Sequence, residues 1–291
     1  MPRPGVGGDR ARLPTHFRHA TRTCKTGRVL DERWIRSLHV QSLRRHDVHP
    51  EHDDHVIFQA STIGALLDGA YEGDLTFAEL AEHGDTAIGT LNHLDGELIA
   101  IDGEFLRADA DGAIHAIPGD ARTPFAVAVW FTPEIETELP AQSTFEALGE
   151  LIGEHLPEGD STCAIRIDGE FEMLRGRSGP SQSPPYCPLD EVIAACHVFE
   201  LHEVRGTMVG FRFPDHGDGI EIDGYHLHFV TADRERGGHV LDFRIGPGPA
   251  RAGIDLESGL EVELPPGVEL NAPHLEEELR TALASIKHRR E

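Results

Sequence analysis

Two apolar runs decide the fold of the C-terminal half: Gly224-Tyr225-His226-Leu227-His228-Phe229-Val230 and Gly237-Gly238-His239-Val240-Leu241. Both favour strands, and the polar segment between them favours a turn, so we predict a β-hairpin. With Asp233-Arg234 as the turn, His228 lies directly opposite His239, and a shifted turn changes this pairing by a residue or two. Side chains two apart on a strand share a face, so His226 lies there as well.

Three imidazoles on one face predict a metal site. Three nitrogen ligands with one open position are typical of a catalytic zinc ion rather than a structural one. A His-x-His pair alone is a weak signal, because the chain has 19 histidines and such a pair is more often surface or buried structure. The third histidine, on the return strand of the same hairpin, favours the metal interpretation.

The charge of the chain is large and unevenly distributed. Its 291 residues allow one large domain or two small ones, and the net charge is -25. Residues 1–50 carry 11 Lys/Arg against 4 Asp/Glu, whereas residues 51–291 carry 15 against 47. An acidic body does not favour nucleic acid as a partner, since phosphate binding needs a basic face. We expect a salt-adapted protein, whose self-repulsion is screened by salt, and an ordinary acidic enzyme is the alternative.

The sequence favours a cytoplasmic location. No apolar stretch reaches the length of a membrane span, and no secretory signal is visible at the N-terminus. The four cysteines lack Cys-x-x-Cys spacing, and in a chain of this length they do not predict a disulfide framework. We therefore expect no membrane partner and a reducing compartment.

The pattern along the chain predicts an α+β fold with two related mixed α/β halves. A helix, a strand and an Asp-Gly hairpin follow Thr76 and end at Asp102-Gly103, and the same order follows Thr144 and ends at Asp168-Gly169. We predict a mobile extension over residues 1–50, an N-terminal α+β domain over 51–140 and a C-terminal metal-binding domain over 141–291. The last is a mainly antiparallel sheet or small barrel that carries the metal hairpin and ends in a helix over Leu275–Ile286.

Several ordered blocks of this sequence closely resemble the α-acetolactate decarboxylase family, from about residue 55 to about residue 280. The blocks are Ser61-Thr62-Ile63-Gly64-Ala65-Leu66-Leu67-Asp68-Gly69, His83-Gly84-Asp85, Leu94-Asp95-Gly96-Glu97, Ala164-Ile165-Arg166-Ile167-Asp168-Gly169, Val204-Arg205-Gly206-Thr207-Met208-Val209-Gly210-Phe211 and the histidine run. The histidine run, with Gly237-Gly238-His239 at the right distance, is specific.

The resemblance implies an enzyme that decarboxylates 2-acetolactate to acetoin and carbon dioxide through a metal-stabilised enediolate. It implies a two-domain α+β fold, a homodimer and Zn²⁺ or another divalent transition metal as cofactor. His226, His228 and His239 match the metal ligands of the family. Glu97 and Arg177 match an active-site glutamate and arginine, although the residues around Arg177 match only loosely.

The chain departs from the family at its C-terminal tail. The family has a further glutamate there, and a gapless alignment from Leu270 places Leu283 at that position, with Glu278 and Glu291 as the nearest acids. Because of this departure, a metal-binding protein without catalytic activity is one alternative function. A cupin-like dioxygenase that uses iron on a β-barrel is the other alternative.

The residue types suit the chemistry that the resemblance implies. A metal ion can chelate the ketone and hydroxyl oxygens of the substrate and stabilise the developing negative charge. Arg177 can hold the carboxylate through its planar fork. Glu97 can order the hydroxyl proton, act as general acid or base, or contact the metal, and the sequence does not decide among these.

Overall fold

In the computed structural model of this chain, structure is described for residues 39–43, 55–156, 161–214 and 224–264, and for 39–43 only the backbone. Apart from residues 39–43, the predicted N-terminal extension up to residue 50 lies outside this part of the chain. The predicted C-terminal helix and Leu283 lie outside it as well. Among the helices that are described, none is long and apolar enough to cross a membrane.

The described residues form sixteen strands, four short α-helices and one 3-10 helix, Asn92–Leu94. The strands are β1 His39–Leu43, β2 Val56–Ala60, β3 Leu75–Thr76, β4 Thr86–Thr90, β5 Glu97–Ile101, β6 Glu104–Ala108, β7 Ile114–Ala116, β8 Arg122–Thr123, β9 Phe125–Val129, β10 Ile135–Leu139, β11 Thr162–Ser178, β12 His197–Phe213, β13 Gly224–Thr231, β14 Gly237–Ile245, β15 Ala250–Glu257 and β16 Gly259–Glu263. The α-helices are α1 Ile63–Leu67, α2 Phe77–Leu80, α3 Phe145–His155 and α4 Leu189–Ala194.

The starts of the two N-terminal helices follow from local capping chemistry. The Thr62 side chain accepts a hydrogen bond from the backbone N–H of Ala65 at the start of α1. At α2, Thr76 and Glu79 cap each other's backbone N–H groups and so form a capping box.

The first sheet has eight strands in the order β1-β16-β2-β9-β4-β5-β6-β7. β16 pairs in parallel with β1 and with β2, and the other pairs are antiparallel. Because β16 comes from beyond residue 250, this sheet joins segments that are far apart in the chain. β1, which lies in the predicted extension, is its outer strand.

The second sheet is antiparallel throughout and has the order β10-β15-β11-β12-β13-β14. β14 also pairs with β11, so the four strands from β11 to β14 close into a ring. The prediction of an α+β chain with a mainly antiparallel C-terminal sheet agrees with this architecture. β10 and β16 each belong to the sheet on the other side of the predicted boundary at residue 140.

One predicted turn is wrong. Asp102-Gly103 forms the expected turn between β5 and β6, but Asp168-Gly169 lies inside β11, which runs unbroken for 17 residues. Asp168 accepts hydrogen bonds from Thr207 and Arg166, so its side chain is satisfied within the sheet. The internal repeat therefore does not extend to a second Asp-Gly hairpin.

The largest hydrophobic cluster lies between the two sheets. It includes Ile88, Ile99 and Val127 from the first sheet, and Phe211 and Val230 from the second. A second cluster packs the other face of the second sheet against α3. Alternation along β13 therefore directs one set of side chains toward the first sheet and the other set toward α3.

Candidate metal centre

The histidines lie on the hairpin formed by β13 and β14. His228 pairs with His239 in the register of the two strands, so the predicted pairing is observed. The loop is closed by a hydrogen bond from the backbone N–H of Thr231 to the carbonyl of Arg236. Tyr225 lies on the opposite face, where its ring packs edge-on against Phe145, as expected for a neighbour of His226 on a strand.

The three imidazoles converge between the sheets. The ring centroid of His226 is 5.1 Å from the centroids of His228 and His239, which are 5.3 Å apart from each other. One nitrogen from each ring lies within 4.8 Å of the other two. His226 is 9% exposed, His239 5% and His228 0%. This cluster of nitrogen donors fits a tetrahedral metal ion with a fourth position left for another ligand.

The first sheet fixes the orientation of His228. Its Nδ1 lies 2.6 Å from the carbonyl oxygen of Leu98 on β5, and a carbonyl only accepts, so Nδ1–H donates. The Nε2 lone pair is then directed toward the cluster, 3.3 Å from Nδ1 of His239. A hydrogen bond of this kind on the far nitrogen is the usual support of a metal-binding histidine.

Burial keeps His228 in the neutral form that a metal requires. Its pKa is lowered to about 4, mainly by removal from water and further by the positive charge of Arg177, although the Leu98 carbonyl acts in the other direction. The imidazole is therefore uncharged at neutral pH. A neutral ring can bind a cation without first losing a proton.

Arg177 and Glu97 complete the site from two further strands. Arg177, on β11, pairs with His239 on β14, so it is the cross-strand neighbour of a cluster member and is half-buried. Glu97 begins β5, and its Oε2 lies 3.6 Å from Nε2 of His228. The structure thus brings together all five residues that the sequence singled out.

The environment of Glu97 suits proton transfer. Its side chain is only 19% exposed, and burial raises its pKa to about 7, while the charge of Arg177 opposes that rise. A carboxyl group with such a pKa carries a proton for part of the time at neutral pH. Proton transfer is most efficient when the pKa of the group lies near the working pH.

Two features of the site were not predicted from the sequence. The Leu98 carbonyl is a backbone group whose role depends on how the sheets pack. Cys196, just after α4, is the other: burial raises its pKa to about 11, and the charges of Glu97 and Arg177 act on it. It therefore carries a neutral thiol. Neither group belongs to a local motif that could have identified it.

Gly238 lets the strands approach closely beside the cluster. Its φ is +150°, and a Cβ there would lie 2.7 Å from the carbonyl oxygen of Arg177. Only glycine adopts this backbone and leaves room for β11. The Gly-Gly pair before His239 is therefore part of how the hairpin holds Arg177 and His239 together.

The fold and site define a class: an α+β protein of two packed sheets with a buried three-histidine centre, a carboxyl group and an arginine. The family model described as alpha-acetolactate decarboxylase matches residues 57–277. The chain belongs to the alpha-acetolactate decarboxylase family.

Relatives and solved structures agree with that assignment. An alpha-acetolactate decarboxylase from Methylococcus capsulatus is 40% identical over 237 residues, which are 79% of this chain and 90% of the relative. One from Klebsiella aerogenes is 42% identical over 198 residues, 68% of this chain and 76% of the relative. The crystal structure of the alpha-acetolactate decarboxylase from Bacillus subtilis strain 168 superposes with a TM-score of 0.75 at 36% identity. The superposition covers 80% of this chain and 99% of the Bacillus subtilis chain.

Proposed function

We propose that this chain converts 2-acetolactate to acetoin and carbon dioxide, with Zn²⁺ or another divalent transition metal bound by His226, His228 and His239. The observation that carries the proposal is the position of Arg177 beside this cluster, in a chain of the alpha-acetolactate decarboxylase family. A cation-binding centre next to a guanidinium group suits a substrate that carries a carboxylate next to a hydroxyl and a ketone.

The three histidines fit a transition metal. They are buried, their nitrogens converge, and His228 is held neutral with one nitrogen committed to the Leu98 carbonyl. Imidazole nitrogen suits zinc and its neighbours, whereas magnesium and calcium prefer oxygen ligands. A metal ion bound there supplies a Lewis acid that stabilises negative charge on the substrate oxygens.

Arg177 orients the substrate carboxylate, which leaves as carbon dioxide. Its guanidinium can form two parallel hydrogen bonds to the substrate carboxylate, which fixes the plane of that group. When the bond between the carboxylate and its carbon breaks, carbon dioxide departs and the electron pair moves toward the ketone, giving an enediolate monoanion whose hydroxyl keeps its proton. Arg177 then faces the negative charge of the enediolate, and the fixed positive charge of the guanidinium stabilises that intermediate.

Glu97 supplies or removes a proton. The enediolate must take up one proton at the carbon that lost the carboxylate, which restores the carbonyl and gives acetoin. Glu97 lies at the edge of the cluster, and burial raises its pKa to about 7, so it can carry that proton at neutral pH. We infer that it acts as the general acid of this step.

We also propose the larger-scale properties that the sequence predicts. The chain acts as a homodimer, with a division near residue 140 between an N-terminal α+β domain and a C-terminal metal-binding domain. Its acidic surface is adapted to salt, and its location is cytoplasmic. Light scattering on the purified protein measures the first of these directly.

The test of the proposed function is acetoin formation from 2-acetolactate, with and without a chelator. We expect turnover that the chelator abolishes and that added Zn²⁺ restores. A protein that binds the metal but releases no acetoin is the non-catalytic alternative. Oxygen uptake with bound iron would instead indicate a dioxygenase.

A further inference from the structure

A second group of metal-ligating side chains lies where the chain crosses from one sheet to the other. β15 ends at Glu257 in the second sheet, and β16 begins at Gly259 in the first. Between them, the backbone N–H and the hydroxyl of Ser258 both donate to the carbonyl of His55, at 2.9 and 3.2 Å. His55 directly precedes β2, so this crossover is tied to the start of a strand of the first sheet.

Three side chains meet at this crossover. One donor atom each from His55, Glu134 and Asp255 lies within 4.8 Å of the other two. Nδ1 of His55 is 2.6 Å from Oδ1 of Asp255, and the backbone N–H of Thr132 donates to Oδ2 at 2.6 Å. Asp255 is completely buried, whereas Glu134 is exposed and His55 is intermediate. The group therefore opens toward solvent on the side of Glu134.

The environment of Glu257 indicates that this group of side chains binds a cation. It lies two residues after Asp255 on β15, so both side chains are on the same face of the strand. Glu257 is 5% exposed, and within the described ranges neither of its carboxyl oxygens has a hydrogen-bond partner. Thr162, its cross-strand neighbour on β11, also has a buried hydroxyl without a partner there.

Among the described residues, His55 is the only basic side chain that pairs with a carboxylate of this group, through Asp255. Across the part of the chain with described structure, no lysine or arginine forms an ion pair with Glu134, Asp255 or Glu257. Burial raises the pKa of Glu257 well above its usual value, and the charges of Asp255 and Glu134 raise it further. A buried carboxylate without a partner is costly, and such groups are normally paired or bind a metal.

We propose that His55, Glu134, Asp255 and Glu257 bind a divalent cation of the Mn²⁺ or Zn²⁺ type, at a site separate from the hairpin histidines. One imidazole with three carboxylates suits these ions better than Mg²⁺ or Ca²⁺, which prefer oxygen donors alone. None of the four residues belongs to the hairpin centre, so this inference does not depend on the proposed function.

The position assigns this cation a structural role. Its ligands come from the starts of β2 and β10 and from the end of β15, so a bound ion joins both sheets at the crossover. A ligand that binds only the folded protein stabilises it by mass action. Loss of the ion should therefore lower stability without removing any group that faces the substrate.

The test uses Mn²⁺ alone on the metal-free, full-length His228→Ala variant, in which the hairpin centre is disabled. We expect one Mn²⁺ per chain by equilibrium dialysis and elemental analysis. At 100-fold excess over Kd, Tm should rise by about 5 °C or more. Adding Glu257→Gln should abolish both effects. Adding Glu136→Gln, which removes an exposed carboxylate from β10, should leave both unchanged.

Two results would overturn this site. One is a His228→Ala protein that binds no Mn²⁺, and the other is a Glu257→Gln protein that keeps the ion and the Tm shift. Circular dichroism checks that each variant is folded. Where Glu257→Gln does not fold, Glu134→Gln replaces it and should weaken Mn²⁺ binding at least tenfold. Where His228→Ala does not fold, Glu257→Gln in the parent should lower the Mn²⁺ count by one per chain.

Discussion

Gly238→Ala is a sharp test of how the hairpin is held against β11. Gly238 is buried, immediately precedes His239, and has a φ of +150° that side-chain-bearing residues rarely adopt. The added methyl group would lie 2.7 Å from the carbonyl oxygen of Arg177 and 3.0 Å from Cζ of Phe199. The first of these neighbours is backbone, so β11 and β14 must separate to relieve the contact.

The expected cost is the sum of two terms. A backbone held in an unfavourable conformation costs about 1–3 kcal/mol, and overpacking of a tight site costs about as much. We therefore expect Gly238→Ala to lower the free energy of unfolding by about 2–6 kcal/mol. Because the strands must part beside His239, metal affinity should fall as well.

Urea unfolding followed by circular dichroism measures the change. With a slope of about 1–3 kcal/mol/M, the midpoint should fall by at least about 0.7 M. Gly153→Ala in α3 is the matched control, because its methyl group meets no atom within 4 Å. It should raise stability by about 0.5–1 kcal/mol, as alanine favours helices over glycine. Equal midpoints for Gly238→Ala and the parent would refute the close approach of the two strands.

Four further predictions concern chemistry, charge and pH. Arg177→Lys should keep the metal yet lose about 10²-fold in kcat/KM, because the ammonium group cannot hold the carboxylate plane; parental turnover would remove Arg177 from the mechanism. Glu97→Gln should lower kcat by about 10²-fold or more with the metal content unchanged, and an unaltered kcat would exclude Glu97 as general acid. Tm and activity should rise with salt toward molar concentrations, since a net charge of -25 repels itself, and a flat response contradicts salt adaptation. The pKa of Glu257 is raised in the folded protein, so without metal its contribution to stability is present below pH 4.5 and is lost as the pH rises. In metal-free protein, Glu257→Gln should therefore have a higher Tm than the parent at about pH 8 but not at about pH 4.

The hairpin was predictable because its register depends on local sequence. The polar segment around Asp233-Arg234 fixes the turn, and strand alternation then fixes which side chains share a face. The observed pairing of His228 with His239 is the one that a turn at Asp233-Arg234 predicts. The same alternation correctly places Tyr225 on the other face.

The position of Arg177 could not be predicted from spacing. It lies beside His239 because β11 pairs with β14, and the register of that pair shifts between Arg175 and Gly176. Such pairing between distant segments leaves no periodic signal in either strand. Only the resemblance to a family singled out Arg177 and Glu97 among the many charged residues of the chain.

A comparison of Asp102-Gly103 with Asp168-Gly169 explains why the second predicted turn does not form. Gly103 has a φ of +78°, and a Cβ on it would meet no atom within 4 Å, as is usual for a glycine in an exposed turn. A Cβ on Gly169 would instead lie 2.6 Å from Cβ of Ala250, so this glycine permits close packing of β15 on a continuous β11. The sequence is the same in both places, and the tertiary contact decides which structure forms.

Metal content and acetoin formation, measured together on His228→Ala, test the central claim most directly. The matched control is His202→Ala, which removes a largely exposed histidine of β12. We predict that His228→Ala loses one zinc per chain and its turnover together, while His202→Ala keeps both at the parental level. A folded His228→Ala protein with the parental zinc content and parental turnover would contradict the three-histidine centre.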